Sequence, residues 1–459
     1  MRKFREGKDR QQLTFLPPSI EEYIGEEDPV RLFDNLLEEF DLREIELSYG
    51  EVGAPAYSPT LLTKVILYGK LRGIRSCREL SRACRENLLF MYLTRGEKPD
   101  FRTINLFRKR FAQELSEILA ATVQVAIKEG MVSLDHVAVD GTKIKGYASK
   151  KSFIKVADLD LDFSKDIAED ENEDGDEPGI PAELRSAKAQ REWAKRAARR
   201  FNEMESQGRK IPKQISGTDP ECHYLHSPKE TSPMYNVQAA VDSKHKIVVA
   251  GYASSRGNDN AELPKVLEEI EKNTERNPKQ VSADKGYSDV DGLEELKRRN
   301  IDGYVSQIER LVKIERKFKY DASSDTYTCP DGRKLLYIRQ NVGKQAARVY
   351  QSSDCSGCEL ASTCIRNGGK SGKRTIAINV KGDLFREMSA KMRGEIGKAM
   401  ATLRSATVEP IFGHLKHARN LVRFFFRGLS RIDSDWKLEL ASFNIQKIIR
   451  FRAQKIALA

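Results

Sequence analysis

A chain of 459 residues is too long for one ordinary hydrophobic core, so two or three domains are expected. With 39% hydrophobic and 32% charged residues and a mean hydropathy of -0.57, it reads as a folded, soluble protein with a heavily charged surface. No stretch approaches the roughly 18 consecutive apolar residues of a membrane span. The basic start MRKFREGKDRQQLTF lacks the apolar segment of a signal peptide, which points to the cytoplasm. A net charge of +11 attracts polyanions, nucleic acid above all. That charge is unevenly spread: residues 404–455 hold eleven Lys/Arg against four Asp/Glu, whereas 158–177 hold eleven Asp/Glu against Lys165.

Residues 1–130 read as an all-helical N-terminal domain. Asp28 before Pro29 is an N-cap followed by proline at the first helical position, with Val30, Phe33, Leu36, Leu37 and Phe40 as the apolar face. Ser58 and Pro59 repeat the signal ahead of LLTKVILYGKLRG. Ser76 and Glu79 make a capping-box pattern, and a further helix is expected from about Thr103 to Glu129. Arg72, Arg75, Arg78, Arg82 and Arg85 would give these short helices a DNA-docking, helix-turn-helix character. A plain bundle with solvated arginines is the alternative.

After Gly130 the period changes, and residues 131–459 read as an α/β domain. HVAVDGTKIKG (136–146) alternates as a strand, and YNVQAAVDSKHKIVVAGYAS (235–254) reads as two strands joined at Asp242-Ser243-Lys244. QVSADKGYSD (280–289) adds a short strand ending in a carboxylate, followed by a helix and the strand IDGYVSQ. Such a succession predicts a mixed sheet. Two insertions interrupt it. One, 150–232, carries the acidic run, expected to be a mobile loop, and the basic helical stretch RSAKAQREWAKRAARR. The other, 308–385, holds four of the seven cysteines.

Asp140 closes the apolar run VAV and Asp284 closes VSA, so both fall near strand ends. Glu409 precedes Pro410, which is expected either to open a helix or to kink a longer one. Singly, each acid has an ordinary role in a turn, a cap or a helix dipole. Together, two aspartates on adjacent strands and a glutamate on a facing helix would suit phosphoryl transfer, which uses two divalent ions roughly 3.5–4 Å apart. Magnesium takes few carboxylates and completes its shell with water and phosphate oxygens. Lys416, two helical turns beyond Glu409, would hold a phosphate nearby.

At these residues the sequence resembles a DDE transposase of a bacterial insertion sequence, of the eleven-eighty-two group. The matching stretches are HVAVDGTKIKGYAS, MYNVQAAVDSKHKIVVAGYASSRGNDNAEL, VSADKGYSD and TVEPIFGHLKH, together with SPTLLTKVILYGKLRGIRSCRELSRACREN in the helical region. The resemblance implies a ribonuclease-H-like catalytic core in which Asp140, Asp284 and Glu409 bind two Mg²⁺ or Mn²⁺ ions. Lys416 would contact the element's end, with Arg404, Arg419 and Arg423 of the same basic stretch also expected at the DNA. A related pattern, Tyr-x2-Arg-x3-Glu-x6-Lys, is matched at Glu409 and Lys416, but Thr402 and Ser405 stand at the other two positions, with Arg404 one place away. That departure leaves a hairpin-forming route without support. The implied reaction is cleavage at the element's inverted-repeat ends, then attack of the freed 3'-hydroxyls on target DNA, by a homo-oligomer, expected as a dimer, in the cytoplasm at the nucleoid. A ribonuclease-H-like nuclease without strand transfer, or a non-catalytic DNA-binding descendant, is the competing reading. Tyr287 is expected to pack beneath the site.

Cys329, Cys355, Cys358 and Cys364 are spaced C-x25-C-x2-C-x5-C. They would suit one structural Zn²⁺, or else are four unrelated thiols. Cys222, His223 and His226 read as loop residues, Cys77 and Cys84 as core, and the run Phe424 to Phe426 as core or interface.

Overall fold

The computed structural model describes residues 19–50, 55–159, 187–209, 211–227, 230–307, 317–341, 347–365, 372–379 and 381–458. The acidic run from residue 160 onward lies outside the described residues.

Among the described residues, eight α-helices precede the first strand: α1 (Pro29–Glu38), α2 (Arg43–Leu47), α3 (Pro59–Leu71), α4 (Cys77–Glu86), α5 (Leu88–Leu93), α6 (Phe101–Arg110), α7 (Ala112–Ser116) and α8 (Ile118–Lys128). Asp28 caps α1 as its sequence predicts, its carboxylate accepting from Val30 N at 2.9 Å. Two expectations are corrected. Ser76 sits at the N-cap of α4 without a side-chain cap bond, so the Ser76/Glu79 capping box is not formed. The single helix expected from 103 to 129 is three, interrupted at Phe111 and Glu117.

The sheet is built from β1 (His136–Lys145), β4 (His223–His226), β5 (Thr231–Asp242), β6 (Val248–Ser254), β7 (Gln280–Ala283) and β8 (Asp302–Val305). Between β1 and β4 lie β2 (Phe153–Lys155), α9 (Ala187–Ser206) and β3 (Gln214–Ser216), with β2 paired to β3. His223 and His226, expected in a loop, belong to β4. The main path runs β6-β5-β1-β7-β8, with β4 pairing the start of β5. Here β1 is antiparallel to β5 and parallel to β7, and β7 is parallel to β8. Helices α10 (Leu263–Thr274) and α11 (Val290–Arg298) make the crossover between β6 and β7 and that between β7 and β8. β1 and β7 are thus central, and their near-continuous burial at Val137, Ala138, Val139, Val281 and Ala283 follows from cover on both faces.

One helix, Glu395–Gly413, lies across β1, β5, β7 and β8. The C-terminal helix, Leu429–Leu458, packs on β6 and on α1, α3, α7 and α8, so the N-terminal helices and the sheet share one hydrophobic core. That contact carries a buried ionic cluster. Lys70 Nζ lies 2.6 Å from Asp435 Oδ1 and 3.0 Å from Glu439 Oε1, Arg75 Nε lies 2.7 Å from Glu439 Oε1, and Arg108 also pairs with Asp435. Burial pushes the Asp435 carboxyl up, but Lys70 and Arg108 outweigh it and hold it below its ordinary range. Arg75, expected on a DNA-facing surface, is therefore an interior residue. Arg72, Arg78, Arg82 and Arg85 are exposed.

The cysteine-bearing region is a separate antiparallel sheet of β9 (Lys319–Asp321), β10 (Thr326–Thr328), β11 (Lys334–Asn341), β12 (Ala347–Ser352) and β13 (Thr375–Asn379), in the order β13-β12-β11-β10-β9. It has a small core of its own around Phe318, Tyr327, Leu335, Tyr350 and Ile376. Among the described residues no helix is long and apolar enough to cross a membrane.

Candidate active site

The register of the two central strands brings the first two acids together. Val139 pairs with Ala283 in the parallel ladder, and the next residue on each segment is Asp140 and Asp284. Parallel neighbours lie about 4.8 Å apart, so these aspartates stand side by side where the parallel ladder ends. Asp140 accepts from Gly141 N at 2.9 Å; Asp284, N-cap of a short 3-10 turn, accepts from Gly286 N at 2.7 Å.

Glu409 arrives on the helix that crosses these strands. Pro410 neither opens that helix nor ends it, contrary to the first of the two sequence alternatives. A proline inside a helix leaves the carbonyl four residues back without its donor. That carbonyl, Ala406 O, accepts instead from Lys246 Nζ at 2.9 Å. The helix runs on to Gly413 and passes into a π-helical turn, His414–Ala418.

Arg404, five residues before Glu409, links the helix to the strands. Its Nη1 donates to Asp140 Oδ2 at 2.6 Å, and its Nη2 lies 3.5 Å from Glu409 Oε1. The Asp140 side chain is 18% exposed and that of Glu409 58%. Burial pushes the Asp140 carboxyl up to about 6, despite the guanidinium beside it, and nearby Asp284 adds to the rise. Asp284 is likewise raised, first by burial and then by Asp259.

Lys416 Nζ donates to Thr142 Oγ1. Thr142 is two residues beyond Asp140 on the same face of β1, so Lys416 borders the carboxylates. Arg423 is exposed and its backbone bridges to Lys145 at the far end of β1. Arg419 is a correction: it is buried, with Nη1 on Ser442 Oγ at 2.6 Å and Nη2 on Gln446 Oε1 at 2.8 Å, and burial pushes its guanidinium down to about 10. It braces the C-terminal helix and is not at the surface where DNA contact was expected. Tyr287 is fully buried beneath the site, its hydroxyl donating to Gln238 Oε1. Phe424 and Phe426 are core residues.

The sequence reading passed over Asp259. It lies in the loop between β6 and α10, where Asn236 Nδ2 and Gln238 Nε2 both donate to its Oδ1, at 2.9 and 2.8 Å. The surrounding RGNDN carries ordinary turn composition, so no local signal separated this acid from a loop residue.

In donor type the carboxylates fit Mg²⁺ or Mn²⁺, hard ions that take oxygen ligands. Burial that raises two neighbouring carboxyls is also a cost that a bound cation relieves. As arranged, Arg404 is the cation on Asp140 and Glu409, and among the described residues no group of three or more His, Cys, Asp or Glu stands ready to hold an ion. The same holds for Cys329, Cys355, Cys358 and Cys364, which line one cavity beside β10 to β12 as free thiols.

Asp284 follows the last residue of β7, whereas Asp140, expected near a strand end, lies in the middle of β1, where the parallel ladder stops but pairing with β5 continues. A five-strand path with its one antiparallel strand beside the central strand, helical crossovers and acids where the parallel ladder ends is a ribonuclease-H-like core. Residues 328–449, which include Glu409, match the family model of the transposase DDE domain, and residues 18–110 match that of the transposase domain (DUF772). Both matches are to transposase domains, so over these two stretches the chain is similar to the DDE transposases of insertion sequences. No curated protein and no solved structure matches it.

Proposed function

We propose that this protein cuts DNA at the ends of its mobile element and joins the freed 3'-hydroxyls to target DNA, with Asp140, Asp284 and Glu409 holding Mg²⁺ or Mn²⁺. The observation that carries the proposal is the pairing of Val139 with Ala283, which sets Asp140 beside Asp284, together with the Arg404 link that ties the Glu409 helix to Asp140. When bound, divalent ions supply charge stabilisation for the attacking and leaving oxygens of an in-line displacement at phosphorus.

The protein's own groups have separable roles. Asp140 and Asp284, fixed on the central strands, are held without a cost in side-chain ordering at the moment of reaction. Lys416 and Arg423 meet β1 beyond Asp140, at Thr142 and Lys145, and supply positive charge for phosphates on that side of the acids. Arg404 moves from carboxylate to phosphate as DNA enters. Tyr287 is no nucleophile, because burial holds its hydroxyl well above the ordinary range and its proton is donated to Gln238. The exposed Arg78, Arg82 and Arg85 of α4 form a second basic surface for duplex DNA, and joining two ends requires a homo-oligomer.

The test uses the full-length protein with DNA carrying the inverted repeats that flank its coding region. Asp284→Asn should keep end binding and lose Mg²⁺-dependent cleavage. Undiminished cleavage removes Asp284 from the mechanism. Cleavage by the wild type without joined product leaves a nuclease.

A further inference from the structure

We infer that Asp259 is a fourth carboxylate of the divalent-ion site, presenting its Oδ2 beside Asp284; the inference rests on the metal-dependent reading above. The argument begins with the two glycines that follow the aspartates, Gly141 and Gly286. Neither adopts the left-handed backbone that demands glycine, so conformation does not explain them. Space does. A Cβ on Gly141 would come within 2.3 Å of Asp259 Oδ1 and 2.7 Å of Gln238 Nε2, and one on Gly286 within 3.2 Å of Asp259 Oδ2 and 2.9 Å of Asp284 Oδ1. Both segments that carry a catalytic aspartate are thus pared back where the Asp259 carboxylate enters. Asp259 Oδ2 and Asp284 Oδ1 converge on the same point.

The orientation of Asp259 is fixed by buried groups. Asn236 and Gln238 are two apart on β5, share a face and are buried. Tyr287 donates to Gln238 Oε1, which sets the amide so that its NH₂ points at Asp259. The two amides occupy Oδ1, and among the described residues Oδ2 receives no hydrogen bond from the protein. A carboxylate anchored by one oxygen and open at the other, facing a second carboxylate, is electrostatically unfavourable until a cation lies between them. Arg404 does not fill that role, since its hydrogen bonds go to Asp140, Ser405 and Glu409.

The experiment is a titration of Mn²⁺ into the full-length, DNA-free protein, with free Mn²⁺ read by electron paramagnetic resonance, for wild type, Asp259→Asn and Asp284→Asn. Asparagine keeps the oxygen that accepts from Asn236 and Gln238, replaces the open one with an amide nitrogen and removes the negative charge. Asp259→Asn should melt at the wild-type temperature without metal yet need at least fivefold more Mn²⁺ for half-saturation. Should it fail to fold, Asp259→Ser, which retains a hydroxyl acceptor, should show the same loss. Wild-type Mn²⁺ binding in the Asp259 variant with weakened binding in Asp284→Asn overturns this inference and leaves the proposed site standing. Wild-type binding in both variants, or no binding by the wild type, overturns the metal-dependent reading itself.

Discussion

Arg404 Nη1 and Asp140 Oδ2 lie 2.6 Å apart, an ion pair between a crossing helix and the central strand of the sheet. The same guanidinium faces Glu409, so one cation sits among acids assigned to divalent ions. Removing it deepens the negative potential there. Arg404→Gln should therefore lower the Mn²⁺ concentration for half-saturation severalfold in the DNA-free protein, each tenfold corresponding to about 1.4 kcal/mol. Calorimetric titration checks this. A weaker Mn²⁺ affinity would mean that Arg404 organises the acids instead of competing for them.

Asp140 gives the metal-free protein a pH signature. Its folded carboxyl is pushed up to about 6 from an ordinary 3.8, chiefly by burial. The folded state thus holds the proton more tightly than the unfolded chain does. The resulting stabilisation is complete below pH 3.8 and is lost as pH rises through about 6. Asp140→Asn has no proton to lose. Relative to wild type it should gain stability between those limits, about 3 kcal/mol at most by neutral pH. Denaturation midpoints of both proteins in chelator, from acid to neutral pH, decide it; parallel curves would show that Asp140 is better solvated than its burial implies.

Lys416, which donates to Thr142 beside the acids, makes a different kind of prediction. A lysine that neutralises one phosphate releases about one counterion. Lys416→Ala should weaken binding to element ends and reduce the slope of log affinity against log salt by about 0.9. An unchanged slope would make Lys416 a structural tether between the π-helical turn and β1.

The buried cluster between the N-terminal helices and the C-terminal helix should dominate stability. Glu439→Ala leaves Lys70 and Arg75 facing each other without their shared carboxylate, a loss on the order of 3–5 kcal/mol. Arg82→Ala, on the exposed face of α4, should change stability by no more than about 0.5 kcal/mol. Thermal denaturation of the two variants side by side measures the contrast, and a mild Glu439→Ala would mean that water reaches the cluster.

What the sequence made legible was the local part of the fold. The alternation in HVAVDGTKIKG and the short apolar run before Asp284 located both central strands, and Asp28 with Pro29 located a helix start, because these signals are contained within a few residues. Partners remote in the chain were hidden. Nothing near Arg75 announces Glu439, nor anything near Arg419 its bonds to Ser442 and Gln446, so both read as surface charge. Pro410 left two helix boundaries open for the same reason, since the lysine that takes up the orphaned Ala406 carbonyl and lets the helix continue is Lys246, on a distant turn. Asp259 was hidden by turn chemistry, and the spacing of the four cysteines gave no hint of the five-stranded sheet that holds them.

The C-terminal helix bears on how the protein is made. Residues 429–458 leave the ribosome long after residues 59–110, yet they carry Asp435 and Glu439, the counter-charges of Lys70, Arg75 and Arg108. Until they emerge, the first helices must wait with those cations in water. A message broken upstream of residue 429 thus yields a product that cannot close its own interior and is open to proteases.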